Sequence, residues 1–190
     1  NDSWLSIADS IWNIQGSDPI VFDQNSLSIA EWRAFKGNKQ MQINGQSSIN
    51  DPGGIKVSFD GFNLSVFNQL TIKKGLRWVG VLEGDITLSD VFKAPYAFGK
   101  ISIEDMGVND KRFGNLEVSS KWNRISNKLN MQLELNNGET SPILFDGNYD
   151  LSAANTVKED PLDFTIMVKK FQPHVLQPFV RSVFSEISTR

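Results

Sequence analysis

The sequence predicts a mainly β protein built from one-sided antiparallel strands, with one or two short helices. Three observations predict it. Apolar and polar residues alternate with period two over most of the chain, turn-forming clusters separate the alternating runs, and helical spacing is confined to two stretches.

The N-terminal segment Trp4-Leu5-Ile7-Ile11-Trp12-Ile14 reads as strands and loop. Ile55-Val57-Phe59 is the first clear alternating run. Leu64 to Leu70 is a short helix candidate, with Val66, Phe67 and Leu70 on one side. Alternation resumes at Leu82-Gly84-Ile86-Leu88, Ile101-Ile103 and Leu116-Val118. Leu129, Met131, Leu133 and Leu135 alternate with Lys128, Asn130, Gln132 and Glu134. Ile143, Phe145, Tyr149 and Leu151 alternate with Asp146, Asn148 and Asp150, with Gly147 in the apolar phase. Leu162, Phe164, Ile166 and Val168 alternate with Asp163, Thr165 and Lys169. Successive side chains on a strand point to opposite faces, so each run has one apolar and one wet face, the habit of antiparallel sheets. Asp51-Pro52-Gly53-Gly54, Lys73-Lys74-Gly75, Asn136-Asn137-Gly138-Glu139 and the stretch from Ala153 to Pro161 supply the turns. The longest helix candidate is Pro173 to Ile187, where Leu176, Phe179, Val180, Val183, Phe184 and Ile187 form one stripe. Pro178 sits inside the pattern and should kink or restart it.

The 190 residues suit one domain or two small ones. No cysteine and a single histidine exclude thiol nucleophiles, disulfide frameworks, zinc fingers and nearly all histidine-based metal sites. Nineteen basic against 22 acidic residues lack the basic footprint that nucleic acid needs. No run of apolar residues is long enough to span a bilayer as a helix. The start has no signal-peptide pattern. Abrupt ends at Asn1 and Arg190 lead us to expect a segment of a longer protein, its anchor or export signal lying elsewhere.

An internal repeat is visible. With Phe62 set on Phe171, an offset of 109, Val57 meets Ile166, Phe59 meets Val168, Val66 meets Val175, Phe67 meets Leu176 and Leu70 meets Phe179. Upstream, Met41-Ile43-Gly45 matches Ile143-Phe145-Gly147 at an offset of 102. Residues 41–70 and 143–179 therefore read as two copies of one unit, within a single repeat-like β segment over 1–190.

Each large apolar side chain removed from water is worth roughly 1.5–3 kcal/mol, so the apolar faces must be covered. Two short helices cannot cover them. The sheet must close into a barrel, double into a sandwich, or curl into an apolar trough that meets something else. Periodicity does not choose among these.

A resemblance does. Met41-Gln42-Ile43-Asn44-Gly45, Val57-Ser58-Phe59-Asp60-Gly61-Phe62-Asn63-Leu64 and Val81-Leu82-Glu83-Gly84-Asp85-Ile86-Thr87-Leu88 are followed by Gly114-Asn115-Leu116-Glu117-Val118-Ser119-Ser120-Lys121-Trp122 and Phe145-Asp146-Gly147-Asn148-Tyr149. Pro161-Leu162-Asp163-Phe164-Thr165-Ile166 then leads to Phe171 and Leu176-Gln177-Pro178-Phe179. Their order over nearly the whole chain resembles the TamB family (translocation and assembly module), in its Bacteroidetes-type version within the AsmA-like group. The resemblance implies a curved antiparallel sheet of β-taco or open-trough type. It implies part of an inner-membrane-anchored protein that crosses the periplasm and serves outer-membrane biogenesis, through outer-membrane protein assembly and secretion or through phospholipid transport. The implied partners are lipid acyl chains or nascent outer-membrane β-strands, neighbouring repeats of the same chain, and an outer-membrane assembly barrel reached through parts outside this segment. No cofactor, no metal and no catalytic residue is implied. The groove would be lined by Leu82, Ile86, Leu88, Leu116, Val118, Leu129, Met131, Leu133, Leu135, Ile143, Phe145, Tyr149, Phe164, Ile166 and Val168.

Gly45, Gly84, Gly114 and Gly147 lie on or next to the apolar phase of their strands. A missing side chain there leaves room for a ligand, lets the sheet curl, or serves a bulge or packing contact. The remaining candidates read blandly. His174 beside Pro173 is a surface or capping residue. Glu104-Asp105, Asp150 and Glu159-Asp160 are solvated turn charges without calcium-loop spacing. Asp51-Pro52-Gly53-Gly54 lacks the Lys-Ser/Thr of a phosphate loop. The 173–187 helix holds Arg181 as its one strong base, which suits a lid on the sheet better than a membrane surface. Two rival functions stay open: a β-sandwich glycan- or protein-binding module with Trp4, Trp12, Trp32, Trp78 and Trp122 as a platform, and a carboxylate enzyme using Glu104 and Asp105.

Overall fold

A computed structural model describes residues 3–7, 10–16, 18–71, 75–138, 143–152 and 161–168. Twelve strands build the described part: β1 (Ser3–Ile7), β2 (Ser10–Gly16), β3 (Val21–Phe22), β4 (Ser26–Lys36), β5 (Lys39–Ser48), β6 (Gly54–Asn63), β7 (Trp78–Ser89), β8 (Tyr96–Val108), β9 (Lys111–Asn123), β10 (Lys128–Asn136), β11 (Ile143–Asp150) and β12 (Leu162–Val168). They form one antiparallel sheet in chain order, except that β3 pairs with β4 off the main path. β1 and β12 end the path and do not pair with each other, so the sheet is open. It is neither a barrel nor two packed sheets. Every alternating run in the sequence is a strand, and the N-terminal segment is the β1–β2 hairpin.

Two strands were not legible. β3 is two residues long. β4 changes phase: Leu27 and Ile29 face the apolar side, a bulge intervenes between Ile29 and Trp32, and Trp32 and Ala34 then face the same side. A bulge adds one residue to one strand, which breaks period two at that point.

The sheet curls. Trp12 on β2 and Phe62 on β6 are three strand steps apart, about 14 Å in a flat sheet. Their ring centroids are 5.2 Å apart. Around this contact lie buried Ala34, Leu64, Val66, Leu82, Ile103 and Met106, with Trp32, Met41, Phe59, Phe67, Trp78, Ile101 and Leu116 packed against them.

The short helix expected at 64–70 is present as a 3-10 turn, Leu64–Phe67, running into one α-helical turn, Asn68–Thr71. The Asn63 side chain caps it by accepting from the Ser65 amide at 2.8 Å. Asn68 ties its end to β7. Its side-chain oxygen accepts from the Trp78 amide at 2.6 Å, and its side-chain amide donates to the Trp78 carbonyl at 3.1 Å. So held, the turn drops Leu64 and Val66 into the curl.

The hairpins of the two aligned units share one register. Met41 pairs with Phe59, Ile43 with Val57 and Gly45 with Ile55. At the aligned positions, Ile143 pairs with Val168, Phe145 with Ile166 and Gly147 with Phe164. The helix expected at Pro173–Ile187, with His174 and Arg181, lies outside the described residues, as do Glu159 and Asp160.

Candidate functional site: an apolar trough

The register places all the candidate lining residues on one face. Leu82, Ile103, Leu116, Leu135, Ile143 and Val168 pair in sequence across β7 to β12. The next row runs Ile101, Val118, Leu133, Phe145, Ile166. A third runs Ile86, Gly99, Ser120, Met131, Gly147, Phe164. Leu129 and Tyr149 pair with each other, flanked by Trp122 and Leu162. Leu88 pairs with Ile55 and Ala97. The rows continue through Val57 and Ile43, which the candidate set omitted although their alternation signals them.

Burial divides this face. Leu82 is 5% exposed and belongs to the core around Phe62, so protein atoms already cover it. Leu129 is also buried, between its partners Trp122 and Tyr149. Ile86, Leu116, Val118, Met131, Leu133, Leu135, Ile143, Phe145 and Tyr149 are half-buried. Leu88, Phe164, Ile166 and Val168 are exposed, Phe164 to 48% and Ile166 to 55%. Phe145 stacks on Phe164 of the neighbouring strand at 5.5 Å. The face is thus filled around Phe62 and bare toward β12, with Leu88 exposed near the end of β7.

The glycines have a structural explanation. Gly84 has φ of 111°, and a Cβ there would lie 2.3 Å from the Lys100 carbonyl oxygen on β8. The added atom would strike the adjacent strand, so this glycine permits the backbone conformation and leaves no ligand space. Gly45 and Gly114 meet neighbouring backbone in the same way. Gly147 has no such conformation. A Cβ there would press on the Phe145 ring and the Phe164 Cβ, both at 3.0 Å, and on the Asp163 carbonyl oxygen at 3.1 Å, so the position is already covered by β12 and the Phe145 ring.

The opposite face is polar and laddered. Gln132 donates to Asp146 at 3.0 Å and Asn130 to Asn148 at 2.6 Å. Lys56 pairs with Asp85 at 3.1 Å and Lys100 with Glu117 at 2.8 Å. A hydrogen bond from Ser58, aided by Lys56, holds the Asp85 carboxyl below its usual value. Glu117 raises Lys100 above its usual value. On this face, over β8–β12, a cleft of about 950 Å³ is lined by Lys100, Glu117, Gln132 and Asp146, with Phe98, Leu144 and Met167 among them.

Other sequence candidates are dispersed. Glu104 and Asp105 sit in a bulge inside β8, where Asp105 has φ of 50°, and not in a turn. Asn115 accepts from the Asp105 amide at 3.0 Å and Arg112 donates to its carbonyl at 2.9 Å. Asp51 accepts from the Gly53 amide in an ordinary turn. The tryptophans form no platform: Trp12 is buried, Trp32 and Trp78 pack against the core, Trp122 stands beside Tyr96, and Trp4 is exposed. Among the described residues no group of three or more His, Asp or Glu side chains is placed to hold a metal ion, and no helix is long and apolar enough to cross a membrane.

No family model matches this chain, and no curated protein or solved structure matches it. What the trough does is therefore argued from its chemistry. It offers a half-covered apolar face, interrupted at Ser120 in its third row, with the ladder of charged and amide side chains on the far side.

Proposed function

We propose that this chain is a trough-bearing segment of a periplasm-spanning envelope protein of TamB type, anchored elsewhere in the inner membrane, whose apolar face receives lipid acyl chains or nascent outer-membrane β-strands. The observation that carries the reading is the set of apolar rows across β7 to β12, one of them apolar at every strand from Leu82 to Val168, ending in bare Phe164, Ile166 and Val168. Five strand steps span about 24 Å. An acyl chain laid along them gains about 0.8 kcal/mol per buried methylene. Because the rows repeat Leu, Ile, Val and Phe with little variation, no position holds the chain much more tightly than the next. Cargo can then slide. The open edges at β1 and β12 suit continuation of the trough by neighbouring repeats. Phospholipid transport, or assembly and secretion of outer-membrane proteins with a barrel partner, is the process such a conduit would serve.

A fluorescent fatty acid titrated into the purified chain tests this. Saturable binding is expected, weakened at least tenfold by Val118→Asp with Met131→Asp. Absence of saturable binding, or binding indifferent to that pair, sinks the reading. One observation favours a second reading, a glycan site: the cleft of mixed lining near Phe98 and Trp122. Quenching of tryptophan fluorescence by an oligosaccharide, unaffected by Val118→Asp with Met131→Asp, would support it instead.

A further inference from the structure

We propose that Phe22 and Phe92 form an aromatic clasp that closes the trough at one rim, and that β3 is the arm that opens it. The first ground is the contact itself. Phe22 pairs with Leu27 across β3 and β4, so both side chains stand on the trough face. Phe92 lies in the loop that follows β7. β3 and β7 are four strand steps apart, about 19 Å in a flat sheet. Curl and loop together bring the two rings into a stack, with centroids 6.5 Å apart and planes 16° from parallel. The trough is thus spanned twice, by Trp12 on Phe62 within the sheet and by Phe22 on Phe92 at the strand ends.

The second ground is burial beneath the rings. From the Phe62 core toward this rim, Ile43, Val57 and Ile86 are half-buried. The next row is Ile29, Gly45, Ile55 and Leu88. Ile29 and Ile55 are buried again, 9% and 4% exposed, although neither belongs to the Phe62 core. Ser47, paired with Leu27 one row nearer the rim, is buried too, and its hydroxyl donates to the Pro52 carbonyl at 2.7 Å. Cover stops at Leu88, which is exposed. A chain sliding in past Leu88 must part the rings to reach Ile55.

The third ground is how unequally the two jaws are held. β3 has two residues, both exposed, and two partners on β4. Its turn is firm: the Asp23 carboxylate accepts from the Asn25 and Ser26 amides, both at 2.7 Å, and from the Ser26 hydroxyl at 2.9 Å. A two-residue exposed strand on a firm turn opens locally while the core stays shut. The Phe92 side is pinned at its root. There the Ser89 hydroxyl donates to the Gly53 carbonyl at 2.6 Å, and the Asp90 amide to the Pro52 carbonyl at 3.1 Å. Phe92 is the fixed jaw and Phe22 the moving one. The clasp rests on the trough reading for its role, and governs access whatever apolar cargo enters.

The absence of native cysteine makes the test direct. In the full chain, Ile55→Cys should react with a maleimide at least ten times faster when combined with Phe22→Ala than alone. Ile29→Cys gives the same reading where Ile55→Cys does not fold. Val66→Cys, in the Phe62 core, should react at the same rate with and without Phe22→Ala. Unchanged reactivity beneath the rings, or equal acceleration at position 66, would overturn the proposal. A short thiol cross-linker gives a second readout. It should join Phe22→Cys to Phe92→Cys within one chain at least ten times faster than Phe22→Cys to Ile125→Cys, and equal rates count against the clasp. Neither measurement uses lipid, so failure of the acyl-chain reading would leave both outcomes standing.

Discussion

The two halves of the trough are made from the same alternating strands, yet one is filled and the other bare. Between β2 and β8 the sheet bends until Trp12 meets Phe62, and the 64–71 turn occupies the remaining space. Between β9 and β12 ring contact is between neighbours, as in Phe145 on Phe164. The difference lies in the backbone. Register shifts interrupt β4–β5, β6–β7, β7–β8 and β8–β9. β9–β10, β10–β11 and β11–β12 pair without interruption. A bulge bends its strand and raises the local twist, so the interrupted half curls around a core and the regular half stays open. The same apolar side chain is core in one half and surface in the other.

The strongest way to break this comparison is Phe62→Ala. Its ring is 2% exposed and touches Trp12, Phe59 and Phe67, so urea unfolding should show a loss of about 3–5 kcal/mol. Gly84→Ala should cost about 2–3 kcal/mol, because its backbone conformation disfavours a side chain and the new Cβ meets the Lys100 carbonyl. Gly147→Ala, in the uninterrupted half, should cost about 1 kcal/mol, less than Gly84→Ala, since its backbone conformation admits a side chain and its contacts at 3.0–3.1 Å need only small shifts. Phe164→Ala should cost less than about 1 kcal/mol, because much of its ring is already wet. If Phe164→Ala and Phe62→Ala prove equal, the distinction between filled and bare halves is wrong.

The smallest effect is electrostatic and belongs to the polar face. Asp85 titrates below 3.8 in the folded protein. Its contribution is therefore present above that ordinary value and fades as pH falls through the lower folded one. The side chain is 54% exposed, so solvent screening keeps the contribution to stability small. Carboxyl titration by NMR should place Asp85 below 3.8. Ser58→Ala and Lys56→Met should each raise it, because the Ser58 hydrogen bond and then the Lys56 hydrogen bond and charge all lower it.

Much of this architecture was legible beforehand. The runs at 129–135, 143–150 and 162–168 are strands with the faces their alternation assigns, because period two follows from backbone geometry within one strand. The helix at 64–70 was legible from Val66, Phe67 and Leu70. β4 was not, since its bulge shifts the apolar phase between Ile29 and Trp32. The Glu104-Asp105 pair looked like a turn for the same reason: a bulge inside β8 places two polar residues consecutively.

By itself the sequence determined which side of its strand each residue faces, and so which residues share the apolar face. Alternation is a property of neighbouring peptide units. The tertiary structure decided what lies opposite that face. Leu82 and Ile166 carry the same signal, yet Leu82 is buried beside Phe62 and Ile166 is bare. What meets a side chain across a trough depends on curvature accumulated over several strands, set by the bulges and glycines from β4 to β9.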